Sequence, residues 1–177
     1  MLILLAALVT ARFGLWPVSA TAKAPQWEAA LGQFTLRASL SRQAAGLTNP
    51  MQPSNEVLIA GLKTFKMNCS GCHGMPGQPS QWGTQNFYPR VPQFADHPPE
   101  LSAPQMFVAI KYGIRHSGMG AWNGMMSDEE IWKVTTLLEH IGSLPPEGQS
   151  NWKSLQLTHP STTQALMPPK PNELLMT

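Results

Sequence analysis

The sequence is poor in charge: only 12% of its 177 residues are Asp, Glu, Lys or Arg, about half the usual share. What charge there is divides unevenly. Residues 54–147 hold six Lys or Arg against eight Asp or Glu, whereas residues 1–53 carry +3 and the segment from 148 onward carries +1. No Lys/Arg-rich run of five or more residues occurs, so the basic footprint of a nucleic-acid partner is missing. Cysteine is scarce as well. The two cysteines stand three positions apart and cannot staple distant parts of the chain, which excludes a disulfide framework. No internal repeat is visible. No paired carboxylates, no nucleophile–base pair and no phosphate-cradling loop assemble a catalytic group, so an enzyme is not expected.

Proline and glycine, by contrast, are plentiful at 17 and 14 residues, and apolar residues make up 42%. The length suits one domain with appendages, rich in loop and turn. A small loop-rich domain gains from a staple, and a covalent cofactor is one kind.

Residues 1–9 are uninterrupted apolar sequence, Arg12 interrupts, and 13–18 are apolar again. Val18-Ser19-Ala20 and Ala20-Thr21-Ala22 place small residues where a secretory signal peptide is cut. A membrane anchor needs roughly 20 apolar residues, and Arg12 is expensive within one. Residues 1–22 are therefore expected to be a signal peptide or a membrane anchor. Both place the body of the protein outside the cytoplasm, in the periplasm of a bacterium, either soluble or attached to the inner membrane by its N-terminus.

Residues 23–53 comprise a helix and a linker. Over 25–45, Trp27, Ala30, Leu31, Phe34 and Ala38 recur at helical spacing and are read as a packing face, with an interfacial or partner-binding face as the alternative. Arg37 and Arg42 lie near the C-terminal end, where they suit the helix dipole. Asn49-Pro50-Met51-Gln52-Pro53 links this helix to a domain at 54–147. Ser54 or Asn55 caps a helix to about residue 68, and Ser102 caps another to about 112. Ser127 opens a third with the capping box Ser127-Asp128-Glu129-Glu130 and the stripe Ile131, Val134, Leu137, Leu138 and Ile141. Residues 74–101 lack periodicity and are read as a loop, unusually long unless it wraps something. Gly61 permits a close helix crossing, beside Phe65, Trp132 and Leu138 in the core. Pro145-Pro146 closes the domain, and residues 148–177 are read as a Pro-containing extended tail.

Cys69-Ser70-Gly71-Cys72-His73 is C-x-x-C-H, the sequence that attaches c-type haem. Two cysteines three apart at a helix end face one way, so their sulfurs reach both vinyl groups of one porphyrin. His73 then offers a nitrogen to the iron. A thioredoxin-like pair also uses C-x-x-C but needs βαβ surroundings. A zinc site needs a fourth ligand such as His97 or His116. For the opposite face of the iron, often filled by Met in electron carriers, the candidates are Met106, Met119, Met125, Met126, His97 and His116. Met106 falls on a helix stripe. Met119 stands between Gly118 and Gly120, which let backbone approach a ring closely, with Trp122 available to pack on it. Met119 is preferred, with His116 the main rival.

With these residues in view, 54–146 resembles the class I cytochrome c family. The correspondence runs from the capped helix with Gly61 and Phe65, through the 69–73 motif and the Pro-rich loop, to Gly113-Ile114-Arg115, Met119 and the helix with Trp132. The Gly-Ile-Arg-x-x-Gly-Met pattern is closer to bacterial, often membrane-attached, monohaem members. Those commonly carry Pro after the ligand Met, where this chain has Gly120. The resemblance implies an all-α cytochrome c fold: three to four helices wrapped around one covalently bound haem, here with an N-terminal helical extension. It also implies a proline carbonyl accepting a hydrogen bond from His73, with Pro89 or Pro92 as the donor's partner. If His73 and Met119 fill both axial positions, no site remains for substrate. Electron transfer between redox protein partners is then the expected function, as a periplasmic carrier or as the cytochrome subunit of a respiratory or dehydrogenase complex. A haem-based gas or redox sensor with a displaceable Met119 is the alternative.

Overall fold

The computed structural model describes residues 2–15, 18–75, 78–94 and 99–157. Among them every regular element is helical: α1 (Leu2–Arg12), α2 (Gln26–Gln43), α3 (Asn55–Asn68), α4 (Ser70–His73), α5 (Gln81–Gln85), α6 (Ala103–Tyr112), α7 (Asp128–His140) with a 3₁₀ turn (Ile141–Ser143), and α8 (Pro146–Leu157). The absence of any strand among these residues removes the βαβ frame that a thioredoxin-like pair requires.

The helices begin where side chains satisfy their free N–H groups. The Ser54 hydroxyl accepts from the Val57 N–H at 3.3 Å, starting α3. In α7 the reciprocal pair is complete: Ser127 Oγ accepts from the Glu130 N–H at 3.2 Å, and Glu130 Oε2 accepts from the Ser127 N–H at 2.8 Å. At α6, Gln105 Oε1 accepts from the Ser102 N–H at 3.0 Å, and Pro104 lies in the first turn, where its missing N–H costs nothing.

The core lies where α3, α6 and α7 meet. Leu58, Leu62 and Phe65 come from α3, Met106, Phe107 and Ile110 from α6, and Ile131, Trp132, Val134, Leu137 and Leu138 from α7. Phe107 and Trp132 stack with ring centres 4.1 Å apart and planes 13° from parallel. Gly61 sets the separation of α3 and α7: a Cβ there would run into the Lys133 carbonyl oxygen and lie 3.2 Å from Leu137 Cβ. Thr135 and Thr136 are fully buried, and their hydroxyls donate back to the Ile131 and Trp132 carbonyls at 2.9 Å each. Asn49 of the linker donates to Thr136 Oγ1 at 2.9 Å, pinning the linker to α7. Asn49→Ala removes this tie from a half-buried site and is expected to cost about 1–2 kcal/mol. The urea unfolding midpoint checks it, with Asn49→Asp as a variant that keeps the shape but loses the donor.

Three sequence expectations change here. The face of α2 expected to pack does not. Trp27 is 65% exposed, Leu31 55% and Phe34 71%, while Leu40 and Ala44 are buried and Leu36 packs against the core. At about 100° per residue, Leu36, Leu40 and Ala44 fall roughly opposite Trp27, Leu31 and Phe34. The helix is apolar on both sides, and the periodicity picked out the uncovered one. The expected loop 74–101 contains α5, whose Ser80 cap accepts from the Gly83 N–H at 3.0 Å. The expected extended tail from 148 is helical as far as Leu157, because Pro146 is the first residue of α8, a position that suits proline. Gln149 N–H reaches the Pro145 carbonyl at 2.8 Å, and Asn55 Nδ2 donates to Glu147 Oε2 at 3.0 Å. The remainder of that tail lies outside the described residues.

No helix among the described residues is long and apolar enough to cross a membrane. At eleven residues, α1 extends only ~16 Å at ~1.5 Å per residue.

Candidate haem-attachment site

The site begins where α3 ends. Cys69 is the last-turn cap of α3 and the first of α4, and its carbonyl accepts from the Cys72 and His73 N–H groups at 3.1 and 2.9 Å. That single tight turn puts Cys69, Cys72 and His73 together. Neither cysteine is in a disulfide. Burial pushes the Cys69 thiol up to about 12, with Cys72 adding to the rise, and burial also raises Cys72. Both are neutral thiols at pH 7, unlike the low-pKa thiolate of a redox pair.

His73 is the most tightly specified member. Its Nδ1 lies 2.9 Å from the Pro92 carbonyl oxygen, so Nδ1–H donates and Nε2 keeps its lone pair. Burial lowers its pKa, and the Pro92 bond opposes that shift. A neutral imidazole with an oriented, unshared Nε2 is what a metal ligand requires. Phe94 stacks on the ring, with centres 4.6 Å apart and planes 8° from parallel, and its N–H donates to the His73 carbonyl at 3.2 Å. Of the two prolines open from the sequence, Pro92 is therefore the partner, while Pro89 sits in a cis bond after Tyr88.

Residues that the sequence did not single out build the support. Gln93 Nε2 donates to the Cys72 carbonyl at 3.0 Å, and its Oε1 accepts from the Ser80 N–H at 2.7 Å. The Ser80 hydroxyl donates to the Gly71 carbonyl. On α5, Gly83 lies so close that a Cβ would strike the Cys72 carbonyl oxygen. Among these, only the Ser80 cap left a local sequence signal. The rest depends on how the loop closes.

Met119 is half-buried against the core, as are Ile114 and Trp122. Its loop hangs from the C-terminus of α6. Ile114 N–H donates to the Met119 carbonyl at 2.9 Å, the Ser117 hydroxyl accepts from the Met119 N–H at 3.1 Å, and Trp122 N–H donates to the Ile110 carbonyl at 3.2 Å. Gly113 turns the chain there with φ +69°, and a Cβ on it would press on the Met119–Ala121 backbone. Gly118 rests on the Phe87 ring, which meets Trp82 of α5 edge-on at 5.6 Å. Through Phe87 the Met119 loop abuts the loop that follows the cysteine turn. His116 is exposed, with a left-handed backbone at φ +58°. Met106 is buried in the core and Met125 is 70% exposed, while Met126 packs at the core edge. His97 lies outside the described residues. Among the described residues, no three His, Cys, Asp or Glu side chains gather as a metal-binding group, so a zinc site gains no fourth ligand there.

The donor set suits a haem. Two thiols and an Nε2 lone pair lie on one turn, a thioether is held in a neighbouring loop, and half-buried apolar side chains border them. An all-helical domain with a cysteine–cysteine–histidine turn backed by a proline carbonyl is thus the class that the fold and site define. Residues 57–138 match the family model described as Cytochrome C oxidase, cbb3-type, subunit III. No curated protein and no solved structure matches the chain.

Proposed function

We propose that this protein is a single-haem c-type cytochrome, of the class I type, that carries electrons outside the cytoplasm as a subunit or partner of a respiratory oxidase complex. The observation that carries the proposal is the 2.9 Å contact from His73 Nδ1 to the Pro92 carbonyl, one residue after the second cysteine. It fixes the imidazole with its other nitrogen available, on the residue that directly follows the second cysteine of the C-x-x-C-H turn. The family match supports the respiratory setting.

A haem bound there supplies the one-electron couple. The chain does the rest. Cys69 and Cys72 would tether the ring, His73 would offer Nε2 under control of Pro92, and Met119 would offer its sulfur. Phe94, Ile114 and Trp122 keep water from the buried side. With His73 and Met119 both serving as ligands, redox partners would exchange electrons without binding at the iron. The three backbone and side-chain ties on the Met119 loop favour this over the sensor reading, which needs that loop to let go.

Tandem mass spectrometry of the purified protein tests the proposal. The pigment is expected to stay with the peptide containing Cys69 and Cys72 after acid–acetone treatment. Clean extraction would end the assignment, and the same spectrum reports the true N-terminus. Met119→Ala is expected to remove the weak sulfur-to-iron band of the oxidised protein, lower the reduction potential and let the reduced protein bind carbon monoxide. The parent should not bind carbon monoxide at neutral pH. An unchanged band in the variant would assign the ligand elsewhere, with His116 examined next.

A further inference from the structure

The side of α2 that faces away from the domain has no counterpart among the described residues. Trp27, Leu31 and Phe34 lie there one and two turns apart, all more than half exposed, and Ala30 and Ala38 extend the stripe with small exposed residues. The C-terminal half of the helix is already engaged: Leu40 is buried, the Ser41 hydroxyl accepts from Gln105 Nε2 at 2.8 Å, and Arg37 pairs with Glu100. The helix is therefore held to the domain with a large apolar face turned outward, a cost that a chain in water has no reason to bear.

Charge indicates what covers it. At about 100° per residue, Arg42 falls on one flank of the stripe and Arg37, already paired with Glu100, on the other, and Lys23 precedes the helix. Within residues 23–53 they outnumber the single acid, Glu28. The domain beyond, residues 54–147, is net negative. An apolar stripe with basic flanks and an amphipathic Trp at one end has the composition of a helix lying in the headgroup layer. The apolar exposure also continues upstream, through Leu5, Leu8, Phe13 and Leu15.

We infer that α2 lies along the surface of a bilayer containing anionic phospholipid, with Trp27, Leu31 and Phe34 in the acyl–headgroup boundary and Arg42 at the phosphates. This does not depend on the haem assignment, nor on whether residues 1–22 are retained.

The test uses the full-length holoprotein and vesicles of phosphatidylcholine with or without phosphatidylglycerol. Sedimentation is expected to show binding to the anionic vesicles. Hydrogen exchange should show protection across 26–38 on binding. Trp27→Gln/Leu31→Gln/Phe34→Gln is expected to weaken binding at least about tenfold, given the apolar area withdrawn. Its helical far-ultraviolet circular dichroism and urea unfolding midpoint should match the parent's, showing that the domain still folds. Arg42→Gln should weaken binding to the anionic vesicles alone. Equal binding by parent and triple variant, with protection confined to residues 2–15, overturns the inference. Protection of 26–38 without vesicles, in a dimer that the triple variant dissolves, overturns it in favour of a second copy. Failure of the parent to bind either vesicle overturns it outright.

Discussion

His73→Ala is expected to abolish the six-coordinate low-spin absorption spectrum of the proposed haem, leaving its iron without the proposed nitrogen ligand even where the thioether links form. The reason lies in how much of the surrounding loop serves that one ring. Pro92 fixes its tautomer, Phe94 stacks on it, and Gln93 between them ties the loop to the Cys72 carbonyl and to Ser80. No other described imidazole follows a cysteine turn. His116 is exposed, and His140 Nδ1 is engaged with the Thr136 carbonyl at 2.9 Å within α7. Optical and electron paramagnetic spectra of the purified variant check the outcome. A low-spin spectrum with the parent's potential would mean that His73 is not the ligand, and the proposed function would fall with it.

The second large effect concerns the fold. Replacing glycine by alanine inside a helix ordinarily stabilises by about 0.5–1 kcal/mol. At Gly61 the sign is expected to reverse, because the added carbon would meet the Lys133 carbonyl, part of a helix backbone that cannot step aside alone. Gly61→Ala is expected to destabilise by roughly 1–3 kcal/mol and Gly61→Val by more. Gly32→Ala provides the contrast. It sits on α2 with nothing within 4 Å of the new carbon and should be neutral or mildly stabilising. Urea unfolding of the three variants decides the matter. Equal midpoints at Gly61 and Gly32 would show that α3 and α7 separate easily.

Where a few adjacent residues decide an outcome, the sequence was sufficient. Ser54 and the Ser127–Glu130 pair mark helix starts that the structure reproduces, because a cap and its partner lie within one turn. Gly61 could be read as a crossing point since a glycine amid Leu58, Leu62 and Phe65 has little other use on a buried face. The choice between Pro89 and Pro92 could not be read, because it rests on a loop path set by Gln93 and Ser80, thirteen residues apart. The packing face of α2 was misassigned for a different reason. Two apolar stripes share that helix, and periodicity ranks the Trp/Leu/Phe stripe above the smaller Leu/Ala one that the domain covers. Pro145-Pro146 reads as an end in the sequence, yet the second proline is a beginning, an ambiguity inherent in a residue that both stops and starts helices.

One helix, α6, bears two loads. Near its start Gln105 holds Ser41 of α2, and at its end the Ile110 and Lys111 carbonyls suspend Trp122 and Asn123 beyond the Met119 loop. Ten residues long, it is a stiff strut of ~15 Å, braced against Trp132 by Phe107. A tilt imposed on α2 that carries Gln105 with it must therefore lever the far end as well, so the Met119 loop and the N-terminal helix share one mechanical mounting.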